Sequence, residues 1–123
     1  MAKIKTFRKK PLEVQAFQVN ALDQETVEQI EKWISNPYDV EIEFCDSSGN
    51  TIDSSSPYFD EFADHIEIVS EDGDVILKFF VGDYVVKGID GSIYPVKEST
   101  FKKTYEEVTS ENNSEFFSRA ITW

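Results

Sequence analysis

One cysteine and one histidine in 123 residues leave little room for several kinds of chemistry. Cys45 cannot close an internal disulfide, so the chain does not read as a disulfide-stapled secreted scaffold. A serine or cysteine nucleophile needs a base, usually histidine, within hydrogen-bond reach. His65 heads one expected strand and Cys45 lies on another, so both read as structural residues and no enzyme is expected. One histidine and one cysteine do not supply the usual zinc set, and Glu71-Asp72-Gly73-Asp74 lacks the loop length and distal glutamate of a calcium hand. No metal and no cofactor is expected; a weak divalent site among Asp46, Asp53, Asp60, Glu61 and Asp64 competes with a solvated acidic loop. No long apolar run near the start reads as a signal peptide or membrane span, and the expected compartment is a reducing cytoplasm.

Basic residues are scarce where acids are plentiful. Residues 11–77 hold seventeen acids, from Glu13 to Asp74, against the single base Lys32, within a chain of formal net charge -12. The first ten residues carry Lys3, Lys5, Arg8, Lys9 and Lys10. A long acidic stretch repels phosphate, so direct binding of nucleic acid or of an anionic membrane is not expected. It fits either a solvated surface or an acidic face for a basic protein.

What is present is hydrophobic patterning. With 40% hydrophobic residues the chain can bury one core, which predicts a single α+β domain over 1–108 and a linker with a docking segment over 109–123. Residues 12–19 alternate as a strand behind Pro11. Asp23 caps a helix over about 24–35, with Val27, Ile30, Trp33 and Ile34 on one stripe. Val40, Ile42 and Phe44 alternate with Glu41 and Glu43, predicting a strand with the acids outward. Ser48-Gly49-Asn50 reads as a turn, and Tyr58–Phe62 is too short and mixed to classify, with room for a single helical turn. Residues 65–69 and 75–80 flank an Asp-Gly turn, and 84–87 and 92–96 flank Gly88-Ile89-Asp90-Gly91. Two hairpins in succession predict an antiparallel meander or small open barrel. Ser99 caps a short helix over 100–103, and Tyr105–Val108 returns as a last strand. The C-terminal run Phe116–Trp123 carries enough apolar surface to need a partner, either the body of the protein or a second copy in a homodimer.

The stretch Val81-Gly82-Asp83-Tyr84-Val85-Val86-Lys87-Gly88, through Tyr94-Pro95-Val96-Lys97 to Phe101-Lys102-Lys103-Thr104-Tyr105-Glu106, resembles the small phage and prophage proteins known by a Pro-Gly-Asp-Tyr-Gly motif. The opening Phe7–Gln18, with Lys9-Lys10-Pro11 leading into a strand, is similar to the start of that family. Val81 stands in place of the motif's proline, Val85 in place of its last glycine, and Val96 where many relatives have cysteine, so no thiol role carries over to that position. The resemblance implies a phage or prophage origin, a host-cell location and a mainly β fold with one larger helix. No function is assigned to the family.

Three kinds of work fit such a chain. The first is binding a host protein with a basic surface, such as a nucleic-acid-binding defence effector, through Glu41, Glu43, Asp46, Asp53, Asp60, Glu61 and Asp64. The second is capture of a small anionic metabolite or signalling nucleotide by Gly82, Asp83, Tyr84, Lys87, Tyr94 and Lys97. The third is a virion or morphogenesis accessory that assembles through Phe116–Trp123.

Overall fold

A computed structural model describes residues 2–8, 12–34 and 37–108. Six strands form two open antiparallel sheets of three: β1 (Gln15–Gln18), β5 (Tyr84–Lys87) and β6 (Ile93–Val96) in the order β1-β5-β6, and β2 (Val40–Asp46), β3 (Ala63–Ser70) and β4 (Val75–Phe80) in the order β2-β3-β4. Three α-helices accompany them, α1 (Gln24–Trp33), α2 (Phe59–Phe62) and α3 (Glu98–Thr104), with a 3-10 turn over Pro37–Asp39. The architecture is α+β, and neither sheet closes into a barrel. No helix among the described residues is long and apolar enough to cross a membrane.

Helix α1 begins where Asp23, in extended conformation, accepts the Thr26 N–H at 2.9 Å, which satisfies one of the N–H groups a helix start leaves orphaned. The Thr26 contacts hold the Asp23 carboxyl below its ordinary range. Its inward stripe buries Val27 and Ile30 against Phe44, Ile66, Ile68 and Phe79 of one sheet and Val85 of the other, with Val19 completing the cluster. One core therefore serves both sheets. Each fully buried aliphatic side chain there contributes about 1.5–3 kcal/mol. As expected, Phe44 is buried, and Val40 and Ile42 pack against the cluster from the same face of β2.

The two hairpins form, but they do not make one meander. β3 and β4 pair with each other in one sheet and β5 and β6 in the other, so the chain changes sheets at Val81-Gly82. The sheet change is sewn to the distant first strand: Gly82 N–H donates to the Val19 carbonyl at 2.8 Å, Val19 N–H donates to the Asp83 carbonyl at 2.8 Å, and Gln18 Nε2 donates to the Gly82 carbonyl at 3.1 Å. Those bonds make β1 the neighbour of β5 rather than of β2, a pairing that no local pattern announces.

Tyr58–Phe62 contains a single helical turn. Smaller expectations are corrected. Residue Ser99 lies inside α3, whose N-cap position is Lys97 with no side-chain capping bond. Tyr105–Val108 joins no strand, because the Tyr105 N–H closes α3 on the Phe101 carbonyl. The expected helix ends at Trp33 rather than 35, and Phe116–Trp123 lies outside the described residues.

Candidate functional site

The chain's one cysteine and one histidine stand directly opposite each other. In the β2–β3 register Cys45 faces His65 and Glu43 faces Glu67. Because side chains alternate across a strand, burying Phe44, Ile66 and Ile68 in the core turns Cys45, His65 and Glu67 together to the other side of the sheet. That side is roofed by the chain leaving β2. After a register shift at Cys45/Asp46 it doubles back, Thr51 bridges Cys45, and Ile52 N–H donates to the Phe44 carbonyl at 2.9 Å. The roof lies close: a Cβ on Gly49 would come 3.9 Å from Glu67 Oε2. The Phe80 ring covers the imidazole at a centroid distance of 4.9 Å. Cys45, His65 and Glu67 are accordingly only 0%, 3% and 4% exposed.

Both imidazole nitrogens face carboxylates, Nδ1 lying 2.8 Å from Asp64 Oδ2 and Nε2 2.7 Å from Glu67 Oε2. Burial, followed by the Glu67 carboxylate and then Glu43 and Asp46, pushes the Cys45 thiol up to about 11. Such a thiol is protonated at neutral pH and is no activated nucleophile. What the group does offer is donor atoms: the thiol sulfur, an imidazole nitrogen and a carboxylate oxygen, all within 4.8 Å of one another. Neither residue declared itself in the sequence as part of a set. The available signal was that Cys45 and His65 lie on two alternating strands and that Glu67 shares the face of His65.

The seven acids expected to form a protein-binding face all fall on β2, on the β2–β3 connection or at the first turn of β3. Since Asp46 pairs with Ala63, the two ends of that connection are neighbours. Several of the acids have local duties. Asp46 accepts the Ser48 and Asn50 N–H groups at 3.0 and 2.9 Å, and Glu43 accepts the Thr51 hydroxyl at 3.0 Å. Asp53 accepts the Ser55 N–H and hydroxyl, each at 2.8 Å, and these bonds lower its carboxyl below the ordinary range. Asp64 holds His65. Glu41, Asp60 and Glu61 are exposed, the last two on α2 beside an aromatic pair. Tyr58 and Phe62 lie 6.2 Å apart in ring centroids and are 61% and 53% exposed.

The residues expected to bind an anion are divided: Gly82, Asp83 and Lys97 line one cleft, while Lys87 and Tyr94 are set apart by the strand register. Tyr94 sits opposite Val86, and Lys87 is the next residue along β5, so Lys87 and Tyr94 point to opposite faces. On the Tyr94 face Tyr84 stacks on Phe101 at 3.8 Å, and a hydrogen bond with Tyr105 raises the Tyr94 phenol. Lys97 Nζ pairs with Asp83 Oδ1 at 3.2 Å and lies over the Phe80 ring. An open cleft of about 580 Å³ beside Gly82 is lined by Lys97 and Lys102, and both lysines are matched by acids, Lys102 with Glu98 at 2.8 Å. Gly82 adopts φ +97, and Asp83, 4% exposed, accepts the Phe80 N–H at 3.0 Å. The best-marked motif of the sequence thus builds the sheet change.

No family model, no curated protein and no solved structure matches this chain.

Proposed function

We propose that the chain is a non-enzymatic accessory protein of phage type that binds a basic surface of a host protein through the β2–β3 connection. The observation that carries this reading is the exposed Tyr58–Phe62 pair set among Asp60 and Glu61. Protein interfaces concentrate their energy in a few aromatic anchors and use the surrounding charge to steer and to select. The stretch supplies both. Residues 37–77 contain no lysine or arginine at all, so a basic partner meets no like charge there. A nucleic-acid-binding defence effector is the partner class that fits, because its cleft is built to receive closely spaced anions. The buried, protonated Cys45 thiol supports a non-catalytic role, and the likeness to the Pro-Gly-Asp-Tyr-Gly proteins supports the phage origin.

The test is capture from host lysate at low and at moderate salt with three forms of the chain: wild type, Asp60→Lys with Glu61→Lys, and Tyr58→Ala with Phe62→Ala. The expected result is a basic partner retained by the wild type, lost on charge reversal, and weakened by roughly thirtyfold or more by the aromatic pair of substitutions, the scale of one interface hot spot at about 2 kcal/mol. No basic partner at either salt, or capture indifferent to both variants, overturns the proposal.

A further inference from the structure

The buried cluster between β2 and β3 asks for a different explanation from the exposed acids around it. Glu43 and Glu67 stand directly opposite each other in register, an arrangement of like charges that destabilises an antiparallel pair. Asp64 and Asp46 lie at the same end of the two strands, and among the described residues no lysine or arginine forms an ion pair with any of these four carboxylates. Lys78 stands opposite Glu67 across the β3–β4 pair but forms no ion pair with it.

We propose that Cys45 Sγ, His65 Nε2 and a Glu67 carboxylate oxygen bind one divalent transition-metal ion of the zinc class. The donor set selects the metal: a thiolate and an imidazole suit zinc and its neighbours, whereas calcium and magnesium take oxygen ligands. The spacing is close to what the ion requires. Metal bonds of about 2.0–2.3 Å in a tetrahedron separate ligand atoms by roughly 3.3–3.6 Å. The three donors already lie within 4.8 Å of one another. Nε2 and Glu67 Oε2, now 2.7 Å apart, need to open by somewhat less than about 1 Å. Side-chain rotation is enough, because strand pairing fixes the backbone on both sides.

The surroundings match those of a metal-bound histidine. Such an imidazole gives its second N–H to a carboxylate, which sets the tautomer and aims the free nitrogen at the metal. Here Asp64 Oδ2 lies 2.8 Å from Nδ1, which leaves Nε2 as the inward-facing atom. Asp64 is a positioning residue in this scheme and not a ligand. Glu43, opposite Glu67 in register, offers a further carboxylate, and water completes the coordination where Glu43 does not. The ion would replace the Cys45 thiol proton, which leaves to solvent on loading, and would tie β2 to β3 on the side away from the core. Its role is therefore structural.

Cobalt(II) tests the site without ambiguity, because Cys45 is the only thiol in the chain. Full-length protein is stripped with a chelator and titrated with Co²⁺ alone, then challenged with Zn²⁺. The expected result is one equivalent bound, with a sulfur-to-cobalt charge-transfer band and the strong visible absorption of tetrahedral geometry, both removed when Zn²⁺ displaces the cobalt. Asp64→Asn keeps the band and weakens binding by roughly 10- to 100-fold, as loss of an orienting carboxylate does. Cobalt bound without the sulfur band, which is what carboxylates alone would give, overturns the proposal, as does no binding at all. An Asp64→Asn chain that binds as tightly as wild type overturns the role of Asp64. Neither result bears on the exposed Tyr58–Phe62 face, so failure here and failure of the protein-binding reading are separable.

Discussion

Asp83 is 4% exposed and accepts the Phe80 N–H at 3.0 Å while pairing at 3.2 Å with Lys97, so one carboxylate closes the turn where the chain leaves one sheet for the other. The partners differ in worth. The Phe80 N–H bond is part-buried, whereas the Lys97 side chain is 68% exposed and retains its water. Asp83→Ala is expected to destabilise the fold by about 2–3 kcal/mol, the cost of a charge-assisted bond. Lys97→Met is expected to cost less than about 1 kcal/mol, as exposed pairs do. Urea denaturation of the two variants checks the ordering, and equal losses would place the energy in the ion pair instead.

Gly82→Ala probes the same turn from the backbone. At φ +97 an L side chain is strained, while the added Cβ would meet only Glu98 Oε2 at an ordinary 3.8 Å. The expected loss is about 1–2 kcal/mol and purely conformational. Glu98→Ala should give no relief in the double variant; relief would show that crowding is the cause.

The Cys45 thiol sets a pH dependence whose sign follows from its direction. Folding raises it from the ordinary 9.0 to about 11. The folded state thus holds the proton more tightly than the unfolded chain, so this contribution is intact below pH 9.0 and is lost as the pH climbs through about 11. Wild type is expected to lose up to about 3 kcal/mol more than Cys45→Ala across that window. Metal-free protein followed by urea midpoints at each pH measures the difference, and parallel curves refute it. Native protein should also react with thiol reagents far more slowly than unfolded protein at neutral pH.

Phe101 anchors α3. Its ring stacks on Tyr84 at 3.8 Å and 7° and sits 4.9 Å from Tyr105. Phe101→Ala is expected to cost about 2–3 kcal/mol, less than for a fully buried phenylalanine because the residue is half-buried. Amide exchange should then show residues 98–104 losing protection first, with β2, β3 and β4 little changed. A uniform loss would mean that α3 and the core unfold as one unit.

The elements that could be read in advance are those whose cause is local. Asp23 caps α1 through a residue three positions on, and Gly73 and Gly91 take the positive φ their hairpins need at 87° and 85°. Alternation placed Val40, Ile42 and Phe44 toward the core. Where local cues competed, reading was poorer: Ser99 has the chemistry of a cap, yet Lys97 takes that position because β6 ends immediately before it. The acidic character of β2 and of the connection after it was legible in composition, whereas the local bonds that occupy Asp46 and Asp53 were not. Nor was the division of the anion-binding set, since Lys87 and Tyr94 are separated by strand register, which composition cannot express.

By itself, then, the sequence determined where six strands lie, where their hairpins turn and which side of each is apolar, because these follow from backbone sterics and burial over a few residues. Only the tertiary structure decided which strands meet. β1 pairs with β5 across more than sixty residues through the Val19, Gly82 and Asp83 backbone bonds, and that pairing splits the strands between two sheets. The same kind of long-range choice set the chain's only cysteine opposite its only histidine. A single-residue slip in the β2–β3 register would have turned one of the two into the core, since alternation reverses with every residue.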